Sequence, residues 1–160
     1  MKLGVLSDTH LIAPLPEFKK WVDHHFKDVD KILHLGDFTD LDIAKYLSDR
    51  KELIAVCGNM DPLEIRAEFP GKTVIEISGF KIGLIHGWGW GCKTEGLIRD
   101  QFRDVDVIAY GHTHIPVNHR VKEVLFFNPG SPTRPSAGKG TIGILHVGEK
   151  IDGQVIEIGG

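Results

Sequence analysis

The chain has 160 residues, a length that suits one domain spanning 1–160. Its 41% hydrophobic content supports a substantial core, while a net charge of −3 and a pI near 6.3 supply no global basic field for gripping a nucleic-acid backbone. No apolar run approaches the roughly 20 residues that cross a bilayer, and the amino terminus lacks the apolar stretch of a signal peptide, so the reading is a cytoplasmic protein without a membrane partner.

Lys2 to Ser7 is a short apolar run with polar flanks, the pattern of a buried strand. Phe18, Trp21, Val22, His25 and Phe26 then recur at three- and four-residue spacing, which predicts an amphipathic helix within Pro14 to Asp28, with Pro16 in its first turn. Lys31 to Leu35 reads as a second strand. Thr39 or Asp40 can cap a helix running to Arg50, and Leu53 to Cys57 reads as a third strand. This alternation predicts a parallel sheet with helices packed on it.

The second half has a different rhythm. Lys72 to Ile77 and Lys81 to Ile85 flank a hairpin turn at Ser78-Gly79-Phe80. Thr94 to Phe102 can form a short helix, and Val105 to Tyr110 another buried strand. Shorter strands follow at 117–121, 124–127, 141–147 and 154–158, with turns expected at 148–150 and 151–153. The result is a mixed α/β domain, expected to hold two sheets face to face with helices outside. The segment 128–140 is rich in Pro, Gly and Ser and reads as a surface loop. Cys57 and Cys92 form no CxxC pair, and Cys57 lies in an apolar run, so it reads as a buried thiol of a reducing compartment.

Five polar clusters end these apolar runs: Asp8-Thr9-His10, Gly36-Asp37, Gly58-Asn59, His86-Gly87 and Gly111-His112-Thr113-His114. Ligands of parallel α/β sheets bind beyond the carboxyl ends of strands, so the clusters are expected to share one crevice. The seven side chains Asp8, His10, Asp37, Asn59, His86, His112 and His114 make a mixed oxygen and nitrogen donor set. Such a set favours manganese, iron, zinc, nickel or cobalt over a thiolate-type structural zinc. A carboxylate can bridge two ions about 3.5–4 Å apart, which would clamp both oxygens of a phosphoryl transfer. Taken singly, each cluster is also an ordinary cap or turn; their order along the chain is what singles them out.

The series D-x-H, G-D, G-N, H-G, G-H-x-H resembles the calcineurin-like metallophosphoesterases, and in particular their small prokaryotic phosphodiesterases. Asn128-Pro129-Gly130-Ser131 also looks like a segment of those members. The resemblance implies a four-layer α/β/β/α sandwich with two mixed sheets and a dinuclear centre. By that analogy Asp8, His10 and His114 hold one ion, Asn59, His86 and His112 the other, and Asp37 bridges them. Two divalent cations, manganese first among the candidates, would then serve attack of a metal-bound hydroxide on a phosphate diester, with Asp37, Asn59 and His86 the catalytic set. Two Asp charges do not neutralise two such ions, so the site would stay cationic and attract a small phosphate ester. A homodimer suits a small enzyme of this kind.

One position departs from many members. Met60 follows Asn59 where they carry a histidine, and methionine cannot donate a proton. Diesters and activated esters are therefore expected over alkyl monoesters. Trp88 and Trp90 alternate with glycines and read either as turn packing or as a wall that stacks a substrate ring. Ser131 and Arg134 could reach a substrate phosphate. His24, His25, His119 and His146 read as surface or packing residues, and His34 as a neighbour of the site rather than a ligand. Asp61 reads as an outer partner of the site or as the cap of a short helix. The competing reading of the whole chain is a metal-binding scaffold or interaction subunit of the same fold. Nucleotide binding without hydrolysis lacks a Gly-rich phosphate loop.

Overall fold

A computed structural model describes residues 1–89 and 93–159. Its first half alternates β1 (Lys2–Leu6), α1 (Pro16–His25), β2 (Lys31–His34), α2 (Leu41–Ser48) and β3 (Glu52–Ala55). Pro16 opens α1, where its missing N–H costs nothing. The helix ends before the expected Asp28 because the backbone leaves helical geometry at Phe26, whose ring turns into the core. Asp40, not Thr39, caps α2 by accepting the Asp42 N–H at 2.9 Å.

The short α3 (Leu63–Glu68) carries the chain to β4 (Lys72–Ile77) and β5 (Phe80–Ile85). α4 (Lys93–Arg99), β6 (Val107–Tyr110), β7 (Val117–Val121) and β8 (Val124–Asn128) follow, and β9 (Gly140–Val147) and β10 (Ile151–Ile158) close the order. The turn expected at 151–153 is corrected. Ile151 already pairs with Val147 and is buried, so the reversal is confined to 148–150.

Two five-stranded mixed sheets result, ordered β10-β9-β1-β2-β3 and β4-β5-β6-β8-β7. The β1, β2 and β3 strands run parallel, as do β5, β6 and β8. Residue alternation divides the core into three layers. Phe18, Val22, Ile43 and Leu47 from the helices pack with Leu6, Ile32 and Ile144 on the outer face of the first sheet. Leu3, Val5, Leu33, Leu84, Val107, Phe127 and Leu145 fill the space between the sheets. Ile98 of α4 packs with Ile108, Tyr110 and Phe126 on the outer face of the second. These layers are the expected α/β/β/α sandwich. Among the described residues no helix is long and apolar enough to cross a membrane.

Phe127 seats the two sheets on each other. A Cβ added at Gly143 or Gly153 would lie 2.6 or 2.5 Å from its ring, so the ring occupies the space that two side chains on β9 and β10 would fill. Beside it, Asn118 of β7 donates to the Gly153 carbonyl at 2.7 Å, joining the two sheet edges. Phe127→Ala is expected to cost about 3–5 kcal/mol, because the glycine backbones cannot collapse into the void. Chemical denaturation checks this; a loss below about 1 kcal/mol would show that the sheets are held elsewhere.

Candidate metal centre

Every candidate ligand follows the carboxyl end of a parallel strand. Asp8 and His10 follow β1, Asp37 follows β2, Asn59 follows β3, His86 follows β5, and His112 and His114 follow β6. The sandwich brings these ends from both sheets to one crevice. Left-handed backbone makes the turns sharp enough: φ is 54° at Asp8, 44° at His10, 56° at Asp37, 68° at His112 and 56° at His114. Asp and His tolerate this region better than most residues, but each still stores about 1–3 kcal/mol that the surroundings must offset.

The side chains converge. His114 Nε2 lies 3.1 Å from Asp8 Oδ1 and 3.2 Å from His10 Nε2, and His10 Nε2 lies 3.6 Å from Asp37 Oδ2. On the other side His86 Nε2 is 3.3 Å from Asp37 Oδ2 and 3.1 Å from Asn59 Oδ1, and His112 Nδ1 is 3.1 Å from the same Asn59 oxygen. Candidate ligand atoms of Asp8, His10 and His114 lie within 4.8 Å of one another, as do those of Asp8, Asp37 and His86. Asp37 thus faces both halves. Asp8 Oδ1 is buried yet accepts no hydrogen bond of good geometry. An orphaned carboxylate oxygen beside clustered imidazole nitrogens fits a divalent cation and little else.

Backbone carbonyls fix two of the imidazoles. Nδ1 of His86 bonds to the Leu35 carbonyl at 2.7 Å, and Nδ1 of His114 to the Arg134 carbonyl at 2.5 Å. The carbonyls can only accept, so both rings carry their proton on Nδ1 and turn Nε2 into the crevice. Burial would raise the Asp8 carboxyl, but the adjacent His114 imidazole, the charge of His86 and the Ser7 hydroxyl hold it below the ordinary carboxylate value. Asp37 is likewise opposed by burial and lowered by His86 and by the Met60 N–H. Burial lowers His10 and His112, and the carboxylates do not reverse it. Asp8 raises His114; Asp37 and Asp8 raise His86 against its burial.

A second set of residues braces the ligand loops. The buried Asp61 carboxylate accepts the backbone N–H groups of Gly58 at 2.7 Å, Thr39 at 2.8 Å and Asp37 at 2.9 Å, locking the loop after β2 to the loop after β3. It does not cap α3, whose cap position is Pro62. Ser7 donates to Asp8 Oδ2 at 2.6 Å, and the Asn128 amide donates to the Gly111 carbonyl at 3.0 Å. His34 is fully buried and stacks on Phe38 with ring centres 3.5 Å apart, and burial pushes its imidazole down to about 3. It bonds to Thr9 and to the Gly36 N–H, holding two ligand loops without entering the crevice.

The three residues expected at the substrate take different positions. Ser131 is fully buried, and its hydroxyl donates to the Asp8 carbonyl at 2.7 Å while accepting the Arg134 N–H at 2.9 Å. It therefore braces the Asp8 loop and does not face a substrate, which corrects the expectation. Arg134 is exposed at the rim, close enough for its charge to lower His10. Trp88, held between left-handed Gly87 and Gly89, is 43% exposed and lines a groove beside Asn59 and His86. Trp90 and Cys92 lie outside the described residues. Cys57 is a partly buried free thiol that burial pushes up. Sequence reading missed Ser7 and Arg66, and it named Asn128 only as part of the 128–131 segment, without its bond to the Gly111 carbonyl. It carried no signal for those pairings.

A family model, the calcineurin-like phosphoesterase superfamily domain, matches residues 1–150. A probable metallophosphoesterase of Methanocaldococcus jannaschii is 39% identical over 161 residues, covering 99% of this chain and 82% of the relative. A solved archaeal phosphodiesterase superposes with a TM-score of 0.78 at 31% identity, covering 99% of this chain and 100% of that one. Wild-type Vps29 of Entamoeba histolytica, solved with zinc, shares the fold with a TM-score of 0.74 at 23% identity, covering 98% of this chain and 99% of that one. Strand-end ligands that meet in one crevice and a match over nearly the whole length lead to the same conclusion: the chain belongs to the calcineurin-like phosphoesterase superfamily.

Proposed function

We propose that the protein is a one-domain metal-dependent phosphodiesterase with two divalent cations at the crevice, manganese first among them. The observation that carries this reading is the position of Asp37 between two donor sets, with an orphaned Asp8 oxygen beside it. Asp8, His10, Asp37 and His114 would hold one ion. Asp37, Asn59, His86 and His112 would hold the other. Divalent ions there supply charge neutralisation at phosphorus and make a water acidic enough to be deprotonated near neutral pH. The residues supply the geometry: Asp61 and Ser131 hold the ligand loops, and the carbonyl-fixed imidazoles keep their lone pairs turned inward. Arg134 stands at the rim for a phosphate oxygen.

Proton supply separates diesters from alkyl monoesters. Met60 donates its backbone N–H to Asp37 Oδ1 at 2.8 Å, but its side chain has no proton and is 58% exposed. A poor leaving group must then take its proton from water. A related phosphodiesterase of archaeal origin, 31% identical over the whole chain, supports diesters as the substrate class.

Turnover of bis(para-nitrophenyl) phosphate across a panel of metals tests the reading. Asp37→Asn should lower both metal content and turnover, and turnover by more than the roughly 10–100-fold that loss of an outer partner costs. Full activity and full metal content in that variant would remove Asp37 from the bridging position.

The leaving group gives a separate measurement. The kcat/KM should fall steeply from nitrophenyl to alkyl leaving groups, and Met60→His should flatten that slope by restoring a proton donor. Alkyl monoesters emerging as the best substrates of the native protein would contradict the diester preference.

Metal affinity should also depend on pH with a definite sign. An imidazole ligates only when neutral, and His86 and His114 hold their protons above the ordinary value of 6.5. Affinity is then complete above those raised values and declines as pH falls through them, with protons released on binding. Calorimetric manganese titrations in buffers of different ionisation heat would read that release; affinity flat down to 6.5 would contradict it.

A further inference from the structure

An open groove of about 530 Å3 leaves the crevice beside Asn59 and His86 and runs past Arg66 and Lys72 to Gln101, with Trp88 on its wall. Nothing in the ligand set requires it. The groove combines two cations that lack carboxylate partners among the described residues. Arg66 is clamped by two carbonyls: Nε donates to Asp61 at 2.7 Å and Nη2 to Asn59 at 2.8 Å. These neutral acceptors orient the guanidinium without cancelling its charge, and its other N–H groups have no acceptor among the described residues. Lys72 donates to the carbonyl and side-chain oxygens of Gln101, at 3.4 and 3.3 Å, both uncharged acceptors. In a chain of net charge −3, two such cations in one groove mark a place for an anion.

Arg66 also bonds to the backbone of Asn59, so the groove begins where the reacting phosphate would sit. Trp88 offers a flat, half-exposed face along the same wall. A planar ring can stack there while a phosphate meets the two cations. We propose that the groove binds the far arm of the substrate, and that this arm carries a planar ring and a second phosphate, as in a nucleotide-type ester. The inference rests on the phosphodiesterase reading above and narrows its substrate class.

Two measurements separate the groove from the hydrolytic reading. The first is calorimetric titration of the manganese-loaded protein with adenosine 3′,5′-bisphosphate and with adenosine 5′-monophosphate. The bisphosphate should bind about tenfold more tightly, the return expected for one charge-assisted phosphate contact. Lys72→Gln should remove most of that advantage and leave the monophosphate affinity in place, while Lys150→Gln, remote from the groove, should retain it. Arg66→Gln provides a second variant with the same expected loss. Equal affinities in the native protein, or an advantage that survives both groove variants, overturns the proposal. The second measurement is turnover of bis(para-nitrophenyl) phosphate by the native protein. If the bisphosphate preference holds and that turnover is absent, the groove stands and the hydrolytic reading falls.

Discussion

Two buried carboxylates set the terms for the rest of the molecule. Asp8 and Asp37, both buried, direct oxygens to within 4.8 Å of one another and of His86 Nε2. Like charges at that separation repel, and burial penalises both. The protein answers with polar groups aimed at the charged forms: Ser7 and the His112 N–H at Asp8, and the Met60 N–H at Asp37. These bonds come from three different loops, after β1, β3 and β6. Positioning the carboxylates therefore requires both sheets, the loop at 128–134 and the turn after β3 to be in register at once.

The cost continues in the backbone. Five candidate ligands sit in left-handed conformations, and glycine neighbours leave no spare volume: a Cβ on Gly58 would lie 2.1 Å from Asp37 Oδ1, and one on Gly111 2.7 Å from Asp8 Oδ2. Strain of this kind persists only where the surroundings over-determine the geometry. The three-layered core supplies that rigidity, and the carboxylate of Asp61 ties the β2 and β3 loops with three backbone hydrogen bonds. Stability invested in the sandwich is in this sense converted into a preorganised set of donors.

Much of this arrangement was legible in one sequence, for a physical reason. Buried strands read as short apolar runs, and the residues ending them are polar and glycine-flanked because the chain must turn sharply there. That local signal located Asp8, Asp37, Asn59, His86, His112 and His114 at strand ends without knowledge of pairing. Contacts between distant loops left no such signal. Ser131 looked like a substrate group because a serine in a Pro- and Gly-rich loop is usually exposed; its bond to the Asp8 carbonyl, 123 residues away, is a tertiary fact. The start of β10 was missed similarly. Ile151-Asp152-Gly153 has turn composition, but pairing with β9 and burial of Ile151 outweigh it.

Position 60 separates two duties that a single residue often carries together. Its main chain belongs to the architecture, since the N–H holds Asp37, whereas its side chain is largely exposed. The residue type can therefore vary without rebuilding the ligand shell. The backbone bond that holds Asp37 is in this way independent of which side chain stands at the surface beside it.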